Sequence, residues 1–154
     1  MKKFISVAIV ASIVFITGCS KSPDKITETL PTAATTIFSG TFSSNAHTTS
    51  GTVKVVIDAA NKKFLVFENF RTDNGPDLKE WLSPGTSGSP YQEIGTLKAV
   101  SGNFSYELDA SINHAANNRV LIWCKSFSIL FGLLEQPVIN TMEATIATEI
   151  NFFI

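Results

Sequence analysis

The chain has few of the residues on which disulfide-stapled domains and metal sites depend. Its 154 residues include only two cysteines and two histidines. Two cysteines cannot build the framework of a small disulfide-rich domain. The sequence also contains neither CxxCH nor HxxxH, the spacings that attach haem or place two histidines on one metal. We therefore expect an apolar core to hold the protein together, and we expect no metal site.

The chain also has no surplus of positive charge. Twelve lysines and arginines stand against 13 aspartates and glutamates, which gives a formal net charge of −1. Proteins that bind nucleic acid concentrate positive charge to neutralise phosphates. This composition therefore argues against a nucleic acid partner.

The longest apolar run stands at the N-terminus. Lys2 and Lys3 precede residues 4–16, FISVAIVASIVFI, a run of 13 apolar or small residues. A membrane-spanning helix needs about 20 such residues, so the run fits the apolar region of a secretory signal peptide. An uncleaved anchor, or ordinary secretion with an incidental cysteine, is the alternative.

The end of this run, Thr17-Gly18-Cys19, resembles a bacterial lipobox. The resemblance implies that residues 1–18 are removed and that Cys19 is acylated, which would anchor the protein in membrane lipid. We expect an extracytoplasmic lipoprotein of the bacterial cell envelope. Serine rather than aspartate at position 20 favours the outer membrane or the surface over the inner membrane.

Without the leader, 136 residues remain, with ten basic and 13 acidic side chains and a net charge of −3. This length suits one domain. Residues 19–36 are rich in serine, threonine and proline and have little to bury. We expect them to form a flexible tether with a reach on the order of 20–25 Å.

From residue 37 onward, short apolar runs alternate with turn residues. Val53, Val55 and Ile57 alternate with polar side chains, the turn formers 58–62 follow, and residues 63–70 form a second apolar run. This pattern predicts a β-hairpin. Further strands are expected at residues 78–83, 91–100, 103–108, 119–125 and 127–131. The regular spacing predicts an all-β fold over residues 37–134, a single small antiparallel sandwich or barrel of about eight strands.

Residues 135–154 fit a helical stripe and a strand equally well. Three threonines favour a strand, because β-branched side chains are enriched in strands. Met142, in this segment, is interpreted as a packing residue.

Several motifs in chain order resemble those of one known family. They are Gly40-Thr41-Phe42, His47-Thr48-Thr49-Ser50-Gly51, Gly75-Pro76-Asp77-Leu78, Trp81-Leu82-Ser83, Trp123-Cys124-Lys125 and Phe131-Gly132. From Gly40 to Gly132 the chain is similar to the DM-thirteen (DM13) domain, a β-rich extracellular module that often accompanies DOMON domains. That family is described as an electron-transfer domain.

The resemblance implies a redox role centred on one cysteine, Cys124, which acts directly or holds a prosthetic group such as haem. It brings no catalytic set with it, so we expect a redox component at most rather than an enzyme. The family ends soon after its Phe-Gly pair, so the resemblance does not cover the C-terminal extension.

Cys124 itself permits two interpretations. Val120, Ile122 and Cys124 share one apolar face of a predicted strand, which favours a buried thiol that acts as a small hydrophobe. A free thiol outside the cytoplasm is, however, exposed to oxidation, and the neighbouring Lys125 could stabilise a thiolate. The sequence leaves both open.

His47 and His114 are the other candidate cofactor ligands, and both lie in polar segments where hydrogen bonding in a loop explains them equally well. Asp73 and Asp77 flank Asn-Gly-Pro. Turn chemistry explains this cluster better than calcium binding, because the spacing fits no EF-hand loop.

Two functions are therefore expected. The first is a membrane-tethered redox module centred on Cys124, with an unknown redox or envelope protein as partner. The alternative is a non-catalytic envelope module that recognises protein or glycan through its loops.

Overall fold

Alternating apolar and polar residues form ten strands in the part of the chain that the structure describes. The computed structural model describes residues 23–32 and 34–135, and in chain order its strands are β1 (Ile26–Thr27), β2 (Thr35–Thr41), β3 (Ser43–Ser44), β4 (Thr49–Ile57), β5 (Lys63–Thr72), β6 (Leu78–Ser83), β7 (Gln92–Thr96), β8 (Ser101–Leu108), β9 (Arg119–Cys124) and β10 (Ile129–Glu135). Eight of the ten strands are longer than two residues, which agrees with the prediction of about eight strands. Residues 23–32 and 34–135 contain no helix that is long and apolar enough to span a membrane.

The strands form two five-stranded sheets, which confirms the predicted sandwich. The first sheet has the order β1-β8-β5-β4-β2 and the second β3-β10-β9-β6-β7. All pairs are antiparallel except β1 with β8. The predicted hairpin is β4–β5. Its turn is closed by the Asp58 carboxylate, which accepts hydrogen bonds from the backbone N–H groups of Ala60 and Lys62 at 2.9 Å each.

Phenylalanine rings dominate the core between the sheets. Phe67 stacks on Phe104 with 4.8 Å between ring centroids and meets Phe70 edge-on at 5.2 Å. These separations lie in the range that aromatic pairs prefer. From the second sheet, Leu82 and Ile122 join the same fully buried cluster.

A second, smaller cluster lies on the outer face of the second sheet. Trp81 of β6 stacks between Tyr91 and Trp123, with centroid distances of 3.7 and 5.0 Å. The loop 84–91 covers these rings. It approaches so closely that a Cβ on Gly88, which has a φ of 73°, would lie 2.6 Å from Trp123. Strands β6 and β9 are therefore buried on both faces.

The antiparallel registers define two ends of the sandwich. One, which we name the Cys124 end, comprises residues 45–48, 73–77, 97–100 and 125–128. The opposite end comprises residues 58–62, 84–91 and 109–118. Leu78 pairs with Cys124, and Thr49 pairs with Thr72, so the segments that adjoin these strand ends lie together at the Cys124 end. Six residues of β9 separate the two ends by about 20 Å.

The N-terminal segment differs from the expected tether. Residues 23–28 lie along β8, where Ile26 pairs with Gly102. Composition did not predict this contact, which combines backbone pairing with β8 and packing of the half-buried Ile26 against the main core. Residues 19–22, and residues 136–154 of the ambiguous extension, lie outside the described part of the chain.

Glu28 and Gly102 fix this segment in place. The two Glu28 carboxylate oxygens lie 2.9 and 3.0 Å from the Lys98 Nζ, and one of them accepts the backbone N–H of Ser105 at 3.0 Å. Gly102 has a φ of 123°, and a Cβ there would lie 1.7 Å from the Ile26 carbonyl oxygen. Only glycine allows the strand to approach this closely.

We expect Phe67→Ala to lower the free energy of unfolding by about 3–5 kcal/mol, because it opens a cavity among buried aromatic rings. The matched control is Phe127→Ala. The Phe127 side chain is 65% exposed, and we expect its loss to change stability by less than about 0.5 kcal/mol. Urea unfolding measures both. Equal losses in the two variants would contradict the described core.

Candidate redox site

Cys124 ends β9 with its side chain directed into the core. Val120, Ile122 and Cys124 are each 0% exposed and belong to the main cluster, so the face predicted from the alternation is the inner one. Cys124 is a free cysteine, and the part of the chain that the structure describes contains no other cysteine. Its Sγ donates a hydrogen bond to the Pro76 carbonyl oxygen at 3.1 Å.

The turn 73–77, which joins β5 to β6, covers the thiol. Pro76 is half-buried, while Asp73 and Asn74 are exposed. The Lys125 backbone N–H donates to the Asp77 carbonyl oxygen at 3.1 Å and ties the turn to the end of β9. One turn of backbone therefore separates the sulfur from solvent.

The bond to Pro76 suits a thiol and not a thiolate. A carbonyl oxygen accepts hydrogen bonds only, so the Cys124 sulfur must retain its proton to make this contact. Lys125 does not supply the cation that a stabilised thiolate would need. In the alternating pattern Lys125 falls on the face opposite to Cys124, and its Nζ lies 3.5 Å from a Glu93 carboxylate oxygen. The described geometry thus holds Cys124 as an uncharged group.

His47 lies at the Cys124 end and holds the other side of the same turn. Its Nδ1 lies 3.2 Å from an Asp73 carboxylate oxygen, and its ring stacks on Phe131 at a centroid distance of 3.8 Å. Phe131 in turn contacts Gly75 so closely that a Cβ there would lie 2.8 Å from the ring. The fold therefore brings His47 and Cys124 to opposite sides of the turn 73–77.

His114 lies at the opposite end, in the loop before β9. Its pKa is lowered, mainly by burial and also by the nearby Lys63 charge. The length of β9 places it about 20 Å from Cys124. His114 and Cys124 therefore cannot ligate one group together.

The described residues do not fit haem at Cys124. A haem ligand must present its donor atom to an open pocket. The Cys124 sulfur is instead enclosed by the core and by Pro76, and His47 is held by Asp73 and Phe131. Residues 23–32 and 34–135 also contain no group of three or more His, Cys, Asp or Glu side chains that could hold a metal.

The two turn aspartates have separate partners. Asp73 accepts the Thr48 backbone N–H at 3.2 Å in addition to contacting His47, and Asp77 lies 2.9 Å from the Lys79 Nζ. Asp77 also has a φ of 53°, a left-handed conformation that Asp and Asn tolerate in turns. Their roles in the structure are those of turn residues.

Glu80 is the buried polar residue that sequence reasoning passed over. It is 0% exposed, and neither carboxyl oxygen has a hydrogen-bond partner. The Tyr106 hydroxyl faces it, but that hydroxyl donates to the Thr96 carbonyl at 3.0 Å and accepts the Lys98 N–H at 2.8 Å. The sequence carried a signal for this residue, because Glu80 shares one face of the predicted strand with Leu78 and Leu82.

Burial raises the pKa of Glu80 well above its ordinary value, and the opposing influences of Tyr106 and Lys98 are smaller. Burial, followed by the adjacent Glu80, likewise raises the pKa of Tyr106. A carboxyl group without partners in an apolar core is stable only in its neutral form. Burial without a hydrogen-bond partner therefore favours the protonated form of Glu80.

The fold and the site define a small all-β sandwich module with one buried thiol at one end and no assembled catalytic set among residues 23–32 and 34–135. The chain belongs to the family described as electron transfer DM13, which matches residues 41–135. The match includes His47 and Cys124 and confirms the resemblance expected from Gly40 to Gly132. Neither the curated proteins nor the solved structures contain a match to the chain.

We expect Glu80→Gln to remove a pH dependence of stability. The folded pKa of Glu80 lies above its ordinary value of 4.5, so above that pH the unfolded chain loses a proton that the folded chain keeps. This contribution to stability therefore falls as pH rises, by at most about 1.4 kcal/mol per pH unit, until the folded pKa is reached.

Urea unfolding between pH 4 and pH 9 tests this expectation. The stability difference between Glu80→Gln and the wild type should grow in favour of the variant as pH rises. Glu107→Gln, which alters a carboxylate that is 54% exposed, is the control and should follow the wild-type profile. Parallel profiles for Glu80→Gln and the wild type would contradict a buried neutral acid.

Proposed function

We propose that this protein is a lipid-anchored electron-transfer module of the bacterial cell envelope, in which the Cys124 thiol is the redox-active group. The observation that carries the proposal is the Cys124 Sγ–H bond to the Pro76 carbonyl oxygen, beneath a single exposed turn at one end of the sandwich. Membership of a family described as electron transfer supports it.

Thiol–disulfide exchange is the chemistry that a lone cysteine can perform. The Cys124 thiol loses its proton to water, and its sulfur attacks a disulfide of an envelope protein. A mixed disulfide forms, and the second partner sulfur leaves and takes up a proton. A thiol of a reducing dithiol then attacks the Cys124 sulfur of the mixed disulfide, and the remaining partner sulfur leaves and takes up a proton. The second thiol of the reductant attacks the reductant sulfur that is now bonded to Cys124, closes a disulfide within the reductant and releases Cys124 as a thiol. Two electrons thus pass from the dithiol to the partner disulfide.

Opening of the turn 73–77 would control this reaction. The attacking species is the thiolate, which cannot bond to Pro76 and needs contact with solvent. Local segments open at free energies well below that of global unfolding. The contacts of His47 with Asp73 and of Phe131 with Gly75 hold the turn closed, so they would set the fraction of time during which the sulfur is accessible.

The leader supports the lipid anchor and the location. Residues 1–18 have the order of a lipoprotein signal peptide and end before Cys19. Acylation there would place the domain outside the cytoplasm, at the outer membrane or the surface. In that compartment the sulfur would meet disulfides of other envelope proteins.

Complete burial of Cys124 favours a second candidate, a non-catalytic envelope module that binds protein or glycan. Free cysteine is among the most buried residue types and often acts as a small hydrophobe. In that case the thiol would react only after global unfolding. The two functions therefore differ in the accessibility of one sulfur.

Reaction of the folded full-length protein with a chromogenic aromatic disulfide separates them. We expect one slow equivalent of thiol to react, and none at this site in Cys124→Ala. His47→Ala removes one contact of the turn, worth about 1 kcal/mol, so it should accelerate the reaction roughly fivefold.

His114→Ala is the matched control, because it alters a histidine at the opposite end and should leave the rate unchanged. A rate that equals the global unfolding rate, and that His47→Ala does not change beyond its effect on unfolding, would overturn the redox proposal in favour of the binding module. A thiol that still reacts rapidly with the disulfide in Cys124→Ala would show that Cys19 is not acylated.

A further inference from the structure

The N-terminal segment reaches the sandwich at the Cys124 end. The Pro23 carbonyl oxygen accepts the Val100 N–H at 3.0 Å, and the Asp24 carbonyl oxygen accepts the Ser101 hydroxyl at 2.7 Å. Because β1 runs parallel to β8, the chain that precedes Pro23 leaves at the end where β8 begins. The described chain therefore enters the sandwich at the Cys124 end.

The contacts of Pro23 and Asp24 with the sandwich shorten the link between the domain and the proposed anchor at Cys19. Four residue steps separate Cys19 from Pro23, so the fully extended link spans about 14 Å at most. A flexible tether over residues 19–36 would have left the domain free to turn in any direction. With Cys19 acylated, a link of four residue steps keeps the Cys124 end next to the membrane.

Two large apolar side chains at the same end are exposed to solvent rather than packed in the core. Phe127, in the turn 125–128, is 65% exposed, and Ile129, at the start of β10, is 38% exposed. Among the described residues, Tyr91 is the third exposed large hydrophobic side chain, but it stacks on Trp81 near the opposite end. Exposed aromatic and aliphatic side chains on one turn are what an interfacial contact with lipid requires.

The charged side chains near the exposed turn have partners. The two turn aspartates contact His47 and Lys79, respectively. Lys125, beside Phe127 in the same turn, has a side chain that is 51% exposed and lies 3.5 Å from a Glu93 carboxylate oxygen. The apolar turn thus has a partly exposed cation next to Phe127.

We propose that the Cys124 end of the sandwich docks on the lipid bilayer, with Phe127 and Ile129 in the interfacial region and the short link from Cys19 holding them there. The proposal rests on the acylation of Cys19 that is part of the proposed function. It identifies the redox partner of Cys124 as a protein that presents its disulfide at the membrane surface, because the turn 73–77 then faces the bilayer.

The test uses the full-length protein isolated from membranes and reconstituted into phosphatidylcholine vesicles. An environment-sensitive fluorophore is attached at Phe127→Cys or, as the matched control, at Ala110→Cys at the opposite end, both combined with Cys124→Ala. We expect the label at position 127 to shift to shorter wavelengths and to be quenched several-fold more strongly by lipid-borne quenchers than the label at position 110. Equal quenching at both positions would overturn the docking.

Releasing the N-terminal segment tests the role of the short link. Gly102→Ala should displace Ile26 and reduce quenching at position 127 at least twofold. Glu28→Ala breaks the contact with Lys98 without altering a paired strand of the core, and it should act in the same direction. Glu107→Ala removes an exposed glutamate at the opposite end and should have no effect. Unchanged quenching in Glu28→Ala and Gly102→Ala would overturn the proposed link.

Mass spectrometry of Cys19 separates this inference from the proposed function. An acylated chain whose label at position 127 stays in water overturns the docking and leaves the anchor intact. A chain that lacks the acyl group but inserts position 127 overturns the anchor and supports the docking surface. A label that stays in water in vesicles but crosslinks to protein in intact envelopes overturns the lipid proposal in favour of a protein partner.

Discussion

The burial of both faces of β9 is the constraint from which the site follows. Inward-facing residues of this strand pack against the phenylalanine core, and outward-facing Trp123 is covered by the loop that contains Gly88. A residue on such a strand is closest to solvent at the strand end. Cys124 occupies that end, and the turn 73–77 covers it. The strand therefore fixes both the burial of the sulfur and the direction from which a partner can reach it.

The core near this end contains two buried groups that can ionise, Cys124 and Glu80. Leu78 pairs with Cys124 and Glu80 with Ile122, so Glu80 lies two residues further along the same inner face. The thiol donates a hydrogen bond to the Pro76 carbonyl oxygen, and burial without a partner favours the protonated form of Glu80. Ionisation of Glu80 would oppose folding. A thiolate could not make the contact with Pro76, so thiolate chemistry at Cys124 would need the turn 73–77 to open.

Local alternation made the strands predictable, while contacts between distant residues remained hidden. The hairpin of β4 and β5 and the inner face of Cys124 follow from period-two patterns, which neighbouring residues encode. The contact of His47 with Asp73 joins residues 26 positions apart, and the contact of Lys98 with Glu28 joins residues 70 apart. No local pattern specifies such pairs. Glu80 was visible as a charge on an apolar face, but burial without a partner is a property of the assembled core.

Parallel pairing of β1 with β8 fixes the end of the sandwich at which the N-terminal segment enters. If β1 were antiparallel to β8, the chain before Pro23 would run toward the opposite end. Gly102 permits the observed direction, because its conformation leaves room for the Ile26 carbonyl where a side chain would stand. The direction of one two-residue strand therefore places the chain entry, the exposed Phe127 and the buried thiol at one end. A domain that exchanges electrons with membrane-bound proteins would need this arrangement, since only the end that faces the bilayer can reach partners held there.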